Sequence, residues 1–311
     1  MPYGGAQSAP GPRDGDPGGA TRAERRTLTL PDAEIVHHLH GPLPPADGNP
    51  VLLMIGQPMT SEGFSELAAE MPGRTVVTYD PRGLGESTRS DGSDLHDPRI
   101  QAEDLHALIG ELGAPVDVFA SSGGAVAGLA LVTAHPDDVH VLVAHEPPVL
   151  GVLPDAETAA EANAAVTRAY QERGWGAGLA AFLHMTSWQG EFTDGYLAQP
   201  SPDPARFGLP VQDDGSRDDP LLSGASAPVT GYAPDLDTLR ASSATIVIAV
   251  GERTGQALTA RTARALAALL GQEAVDFPGD HGGFTRQNPA DPGDPAAFAD
   301  RLREVLADAA A

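Results

Sequence analysis

The chain has 311 residues, enough for one large domain or for a core with an inserted subdomain. It contains no cysteine, and all 19 of its cationic side chains are arginine. Disulfide bonds, cysteine-ligated metal sites and Schiff-base chemistry on lysine are therefore excluded. The 43 acidic side chains give a formal charge of −24, which repels phosphate backbones and anionic membranes. We expect neither nucleic acid nor a membrane as a partner.

The first 25 residues predict a disordered N-terminal tail, because they are rich in Gly, Pro and Asp. The first 20 residues lack the apolar stretch of a signal peptide. No apolar run elsewhere approaches the roughly 20 residues that a membrane helix needs. These features predict a cytoplasmic protein.

Short apolar runs alternate with helical patterns in the first half of the chain. The candidate strands cover residues 26–30, 34–40, 51–55, 74–79, 116–119 and 139–144. One helix begins near Ser61, and another covers 98–112 with Ile100 on its apolar side. This alternation favours a mostly parallel, doubly wound α/β sheet.

Three histidines, His37, His38 and His40, lie in the second candidate strand. His38 and His40 share one face of a strand, and His37 lies on the other. The nearest carboxylate on the His38 face is that of Glu34, about 13 Å away along the strand. We interpret this run as an exposed strand face and expect no bound metal.

The alternation stops between residues 150 and 239. Residues 156–182 are rich in Ala and predict helix, whereas residues 199–234 are rich in Pro, Asp, Gly and Ser. The sheet then resumes, with strands expected at 244–250 and 273–277 and helices at 258–270 and 295–309. We therefore assign residues 26–149 and 240–311 to an α/β core and residues 150–239 to a cap or lid inserted into it.

One segment, 116–131, joins an apolar strand to a buried helix through a turn at 120–124. Small residues, Ala120 and Gly124, flank Ser122 at two positions on either side, as a strained turn requires. This is the strand–turn–helix context of a nucleophile elbow, which exposes the serine hydroxyl at the end of a sheet. A Gly/Ser-rich helix start, in which the serine only caps the helix, remains open from this segment alone.

Four features in chain order resemble the α/β-hydrolase superfamily. They are the Gly56-Gln57-Pro58 turn, the D-x-R-G-x-G-x-S loop at 80–87, the Ser122 turn, and Asp280-His281 after the last strand. The resemblance covers about residues 26–150 and 240–308. It implies an α/β-hydrolase fold, in which a mostly parallel sheet carries a helical cap, with the four features together at the strand ends.

The resemblance also implies roles for these residues. Ser122 is the nucleophile and His281 is the base that takes its proton. The backbone N–H groups of Gln57 and Gly123 form the oxyanion hole. The family often carries His where this chain has Ile55, which removes a supporting hydrogen bond but not the donor.

The third member of the triad departs from the family pattern. An Asp usually ends the Gly-x-x-Asp turn after the insertion, but here that position is Thr254, which cannot be an anion. A base histidine needs a carboxylate that fixes its tautomer. Some relatives, haloalkane dehalogenases among them, carry the acid one strand earlier, where this chain has Glu146. We favour Glu146 as the partner of His281, with Glu252, a water or a Ser–His dyad as alternatives.

The implied activity is a serine hydrolase that cleaves an ester-type bond (carboxylic ester, thioester or lactone) of a small, fairly apolar molecule without a cofactor. Phe182, Met185 and Trp188 of the cap are candidate pocket residues, with packing inside the cap as the alternative. A non-catalytic binding protein, a C–C bond hydrolase and a perhydrolase remain open. Ser122 argues against dehalogenases and epoxide hydrolases, which use Asp. A Gly-x-Gly-x-x-Gly turn is missing after the first strand, which argues against an oxidoreductase. A homodimer is possible.

Overall fold

A computed structural model of the chain describes residues 23–288 and 291–309. Within these residues one sheet contains nine strands: β1 (Glu24–Leu30), β2 (Ala33–His40), β3 (Leu52–Ile55), β4 (Val76–Tyr79), β5 (Thr88–Arg89), β6 (Val116–Ser121), β7 (Val139–His145), β8 (Thr245–Gly251) and β9 (Val275–Phe277). Their order across the sheet is β1-β2-β4-β3-β6-β7-β8-β9, and β5 pairs with β2. The pairs from β4 to β9 are parallel, whereas those of β2 with β1, β4 and β5 are antiparallel.

The helices connect these strands. They are α1 (Ser65–Ala69), α2 (Pro98–Leu112), α3 (Gly123–Ala134), α4 (Ala156–Arg173), α5 (Trp175–Ser187), α6 (Asp194–Leu197), α7 (Ala227–Thr230), α8 (Leu236–Ala241), α9 (Leu258–Leu269) and α10 (Pro295–Ala309). Short 3-10 turns lie at Ser61–Phe64, Pro136–Asp138, Leu150–Val152 and Pro204–Phe207. The mixed, mostly parallel α/β fold predicted from the sequence is confirmed.

The sheet separates two apolar clusters, so its central strands are buried on both faces. One cluster packs α2, α3 and α9 against the sheet, with Leu105, Leu129 and Leu266 among its members. The other packs α1 and α10 against the opposite face through Leu67 and Leu302. Burial on both faces explains why strands such as β3 read as continuous apolar runs instead of alternating ones.

Helix α3 lies very close to β6 and β7 because its side facing the sheet is made of small residues. A Cβ atom at Gly128 would lie 2.9 Å from Leu142 Cδ1 and 3.4 Å from Ala120 Cβ. The Ala120 side chain, which replaces the more usual glycine of the elbow, is therefore accommodated opposite Gly128. This close packing fixes the position of the first turn of α3 above the end of β6.

Several sequence expectations need correction. The exposed face expected for the histidine run is wrong for His37, which shares a face of β2 with Ile35 and Leu39 of the first cluster and is only 1% exposed. Burial lowers the pKa of His37 below its ordinary value. Ile100, expected on the apolar side of α2, is 38% exposed. The helix expected over 156–182 is two helices, because the chain reverses at Gly174, where φ is +84°.

Strand β1 begins at Glu24, two residues before the start that the sequence predicts. The rest of the expected tail, residues 1–22, lies outside the described residues. Between β7 and β8 the chain forms α4 to α8. Apolar side chains of α4, α5 and α6 share a third cluster with Leu258 of α9, whereas Val229 of α7 and Leu239 of α8 belong to the cluster of α2, α3 and α9. In the described part of the chain, no helix has both the length and the apolar character that a membrane crossing demands.

Candidate active site

Ser122 lies between the last residue of β6 and the first residue of α3. Its φ of 57° and ψ of −126° are unusual for any residue other than glycine. Backbone of this kind costs about 1–3 kcal/mol and is maintained where the surroundings enforce it. The Ser122 N–H donates to the carbonyl of His145 at 2.9 Å, which ties the end of β6 to the end of β7. The strained turn predicted for a nucleophile elbow is therefore present.

The residues after Ser122 lie against the turn that follows β3. A Cβ atom at Gly123 would lie 2.6 Å from the carbonyl oxygen of Gln57, and one at Gly124 would lie 2.4 Å from that of Ile55. Both positions therefore require glycine. Gly123 is the first residue of α3, where N–H groups have no partner within the helix. The structure thus brings together Gln57 and Gly123, the two residues expected to form the oxyanion hole.

Glu146 follows β7 directly and is fully buried. Its φ is 51°, and its N–H donates to Ala249 O in β8 at 2.9 Å, so the backbone turns towards the neighbouring strand. Its Oε1 accepts a hydrogen bond from the N–H of Gly251 at 2.9 Å. Its Oε2 accepts from the hydroxyl of Thr259 at 2.6 Å and lies 2.6 Å from Nδ1 of His281. The carboxylate is therefore held by three groups.

His281 lies in the loop after β9, and this loop is docked on the turn after β8. The N–H of Glu252 donates to Phe277 O at 3.0 Å, and that of Arg253 donates to Gly279 O at 2.8 Å. Gly279 has a φ of +91°, which favours glycine at that point. The imidazole contacts Glu146 through Nδ1, and the His281 side chain is 41% exposed.

The structure brings Glu146 to His281, whereas Glu252 is exposed. Thr254, at the position where the family has its Asp, is buried. The described hydrogen bonds do not include one from Ser122 Oγ to His281. Catalytic hydrogen bonds of this kind are often long before a substrate binds.

Comparison with known proteins identifies the fold. No family model matches the chain. It is 27% identical to the uncharacterized hydrolase YraK of Bacillus subtilis (strain 168) over 293 residues, and this alignment covers 90% of this chain and 95% of YraK. A thermophilic esterase from Thermogutta terrifontis, solved with malate bound, matches with a TM-score of 0.60 at 21% identity, over 93% of this chain and 100% of the esterase. A putative epoxide hydrolase from Pseudomonas aeruginosa matches with a TM-score of 0.58 at 18% identity, over 92% of this chain and 96% of the epoxide hydrolase chain.

The chain has the α/β-hydrolase fold. This confirms the fold that the resemblance in the four sequence features implies. At these identities the solved structures show the fold alone, and the chemistry of the protein is argued from its own residues.

Glu146 and His281 perturb each other's pKa. Burial raises the pKa of Glu146, but the hydrogen bond and the charge of His281 outweigh it and hold that pKa below its usual range. Burial lowers the pKa of His281, but the hydrogen bond and the charge of Glu146 raise it above its ordinary value. The pair therefore favours a carboxylate that stabilises an imidazolium, which is what a base that accepts a proton needs.

A second histidine, His145, lies next to His281, and no pattern in the sequence indicates this pair. The ring of His145 lies nearly parallel to that of His281, with centroids 6.0 Å apart and an interplanar angle of 26°. Aromatic rings surround His145, namely those of Phe119, Phe277, Phe284 and Phe298. Both of its ring nitrogens are buried without a hydrogen-bond partner. Burial lowers the pKa of His145 to about 4, so the ring is neutral and forms an apolar wall behind His281.

Thr259 is the other site residue that sequence reasoning missed. It belongs to the first turn of α9, which starts seven residues after Gly251. A short turn followed by a helix is the available sequence signal, because the first turn of such a helix faces the strand ends.

The three candidate pocket residues pack in the cap. Met185 is 3% exposed inside the cap cluster, and Phe182 and Trp188 pack against the same cluster. The indole N–H of Trp188 donates to Glu191 O at 3.1 Å. The small cavity next to Gln57 is lined instead by residues of the core, including His96 and Gln101. The described contacts of Phe182, Met185 and Trp188 are those of packing in the cap, and their role in a substrate pocket stays a prediction.

Proposed function

We propose that this α/β-hydrolase is a serine hydrolase that cleaves an ester-type bond through an acyl-enzyme. The observation that carries the proposal is the buried Glu146 carboxylate, 2.6 Å from Nδ1 of His281, beside the strained turn of Ser122. A carboxylate in this position keeps the proton on Nδ1, so that Nε2 is free to act as a base.

In the first half of the reaction, Ser122 Oγ attacks the carbonyl carbon and His281 Nε2 takes the hydroxyl proton. The tetrahedral intermediate collapses, the bond to the leaving oxygen or sulfur breaks, and the imidazolium returns the proton to the leaving group. In the second half, a water molecule attacks the acyl group with His281 again as the base. The carboxylic acid is released and Ser122 regains its proton. Glu146 stays ionised throughout.

The oxyanion that forms in both halves requires two donors aimed at one point. The N–H groups of Gly123 and Gln57 are proposed for this role. The close contact between these two residues supports it, as does the position of Gly123 at the positive end of α3. Removal of one donor of this type typically costs about 100-fold to 1,000-fold in kcat.

Carboxylic esters, thioesters and lactones all react by these steps, and a small, fairly apolar acyl group remains our prediction for the substrate. A C–C bond hydrolase and a perhydrolase share the same residues, and a non-catalytic binding protein would share the fold alone. Serine in place of the Asp nucleophile argues against an epoxide hydrolase. The cytoplasmic location and a homodimer remain predictions.

The test combines labelling and turnover. A fluorophosphonate probe should label the wild-type protein, which should also hydrolyse p-nitrophenyl butyrate. Both signals should disappear in Ser122→Ala. The matched control is Ser121→Ala, because Ser121 is the preceding residue and is 1% exposed at the end of β6. Labelling or turnover that survives in Ser122→Ala would refute the proposal.

A further inference from the structure

A second group of polar side chains lies far from the triad, where α2 meets the end of α3. It consists of Glu103 and His106 on α2, His135 directly after α3, and Asp138 in the following 3-10 turn. Glu103 and His106 are three residues apart on one helix and therefore lie on the same face. We refer to these four residues as the α2–α3 cluster.

Each histidine of the α2–α3 cluster contacts a carboxylate that belongs to the other segment. His106 Nδ1 lies 2.6 Å from Asp138 Oδ2, and His135 Nε2 lies 2.9 Å from Glu103 Oε1. The two imidazole rings are stacked, with centroids 3.8 Å apart and an interplanar angle of 7°. One ligand atom each from His106, His135 and Asp138 lies within 4.8 Å of the others.

We propose that the α2–α3 cluster binds one divalent transition-metal ion of the zinc, nickel or copper type. His106, His135 and Asp138 are the ligands. The carboxylate of Glu103 orients the ring of His135, as carboxylates commonly do for metal-bound histidine.

The donor set determines the class of ion. Imidazole nitrogen combined with carboxylate oxygen suits Zn²⁺, Ni²⁺ and Cu²⁺, whereas Mg²⁺ and Ca²⁺ prefer oxygen ligands alone. Ligand atoms of a tetrahedral zinc ion lie about 3.4 Å from one another. His106 Nδ1 and Asp138 Oδ2, now 2.6 Å apart, therefore have to separate slightly, and the stacked rings of the two histidines have to tilt so that their nitrogens converge on the ion. The His106 side chain is 48% exposed and can move to do so. The formal charge of −24 attracts cations to the protein.

The ion would act on stability and not on the chemistry at Ser122. Helix α3 begins next to Ser122 and ends next to His135, and its 12 residues span about 18 Å. An ion bound at the far end therefore does not touch the reacting atoms. It joins α2 to the segment after α3, and because it binds the folded chain it raises the melting temperature.

The experiment is a calorimetric titration of the chelator-treated full-length chain with ZnCl₂, repeated with MgCl₂. We expect one saturable Zn²⁺ site and no comparable Mg²⁺ binding. His106→Ala and His135→Ala should each raise the zinc Kd at least about tenfold. His38→Gln is the control, because His38 belongs to the histidine run in β2, and it should leave the Kd unchanged.

Thermal unfolding provides the second readout. Zn²⁺ should raise the melting temperature of the wild-type chain and of His38→Gln, and should not raise that of the His106→Ala/His135→Ala double variant. Absence of a saturable zinc site, or its persistence in the double variant, would overturn the proposal. Neither readout uses turnover, so the result is independent of the proposed esterase activity.

Discussion

Substitution of Glu146 by Gln should nearly abolish turnover while leaving the fold intact. Three groups contact the carboxylate: the N–H of Gly251, the hydroxyl of Thr259 and Nδ1 of His281. A glutamine has the same shape, but one of its two terminal atoms is an NH₂ donor. Which of the two positions receives the nitrogen decides the outcome.

The hydrogen-bond partners of Glu146 settle that orientation. The backbone N–H of Gly251 can only donate, so the amide oxygen has to face it. The NH₂ group then faces Thr259 and His281. The threonine hydroxyl can rotate and accept a hydrogen bond, whereas Nδ1 of His281 accepts one only if the ring proton moves to Nε2. That tautomer cannot take the proton of Ser122.

The expected magnitude follows from this change of tautomer. Loss of the correct histidine tautomer in a comparable triad lowers kcat about 10⁴-fold, which corresponds to about 5.5 kcal/mol of barrier. Glu146 also raises the pKa of His281. The wild-type rate falls as the pH drops through that raised pKa, because His281 becomes protonated. The residual activity of Glu146→Gln should therefore persist to lower pH.

The assay is kcat and kcat/KM for p-nitrophenyl butyrate across the pH range, with circular dichroism as a check of folding. Glu252→Gln is the matched control, since this substitution makes the same chemical change at an exposed position. We expect a less than twofold effect there. A folded Glu146→Gln variant that retains more than about a tenth of wild-type kcat would contradict the assigned role, as would a large loss in Glu252→Gln.

Three further predictions test the surroundings of the triad. Thr259→Val removes a hydrogen bond to the Glu146 carboxylate and should lower kcat about tenfold. The control Thr262→Val, in the same helix, should leave kcat unchanged. Equal losses of kcat in the two variants would contradict the role of Thr259. When the pH falls from about 7 to about 4, the free energy of unfolding of His145→Phe should decrease by about 3 kcal/mol less than that of the wild type, as measured by urea unfolding. The buried His145 ring has a pKa of about 4 instead of 6.5, so in the wild type the unfolded chain binds the proton first as the pH falls. Parallel pH profiles of the two proteins would refute this prediction. Ser122→Gly should be inactive and about 1 kcal/mol more stable, because glycine relieves the strain at φ 57°; a variant with lower unfolding free energy would contradict the strain argument.

The cap shows a limit of sequence reasoning. An apolar substrate pocket and the core of a helical cap would both be lined by residues of the types found at Phe182, Met185 and Trp188. The sequence alone does not say whether the apolar side of a cap helix faces a pocket or packs against other cap helices. In the structure the three residues pack with the cap cluster, in which Leu258 of α9 also takes part. Partners from distant parts of the chain therefore determined their burial.

The prediction for the histidine run in β2 was wrong for a related reason. Strand periodicity assigns His37 to one face and His38 to the other, but it does not say which face the helices cover. His37 lies on the face of Ile35 and Leu39, which belong to the cluster that packs α2, α3 and α9 against the sheet, and it is therefore buried. The packing of helices on a sheet is a non-local property.

The sequence by itself determined the order of strands and helices and the turn at Ser122. Both depend on short-range effects: hydrophobic periodicity for the elements, and a strained turn that favours small neighbours such as Ala120 and Gly124. The lack of space for a Cβ atom at Gly123 and Gly124, by contrast, comes from the tertiary contact with residues 55–57. The sequence could name Glu146 as a candidate acid, but only the tertiary structure decided its contacts. Glu146 and His281 are 135 residues apart in the chain, and Thr259 is 113 residues from Glu146. Their distances depend on the register of β7 beside β8 and on how the loop after β9 docks there, and neither has a local sequence signature.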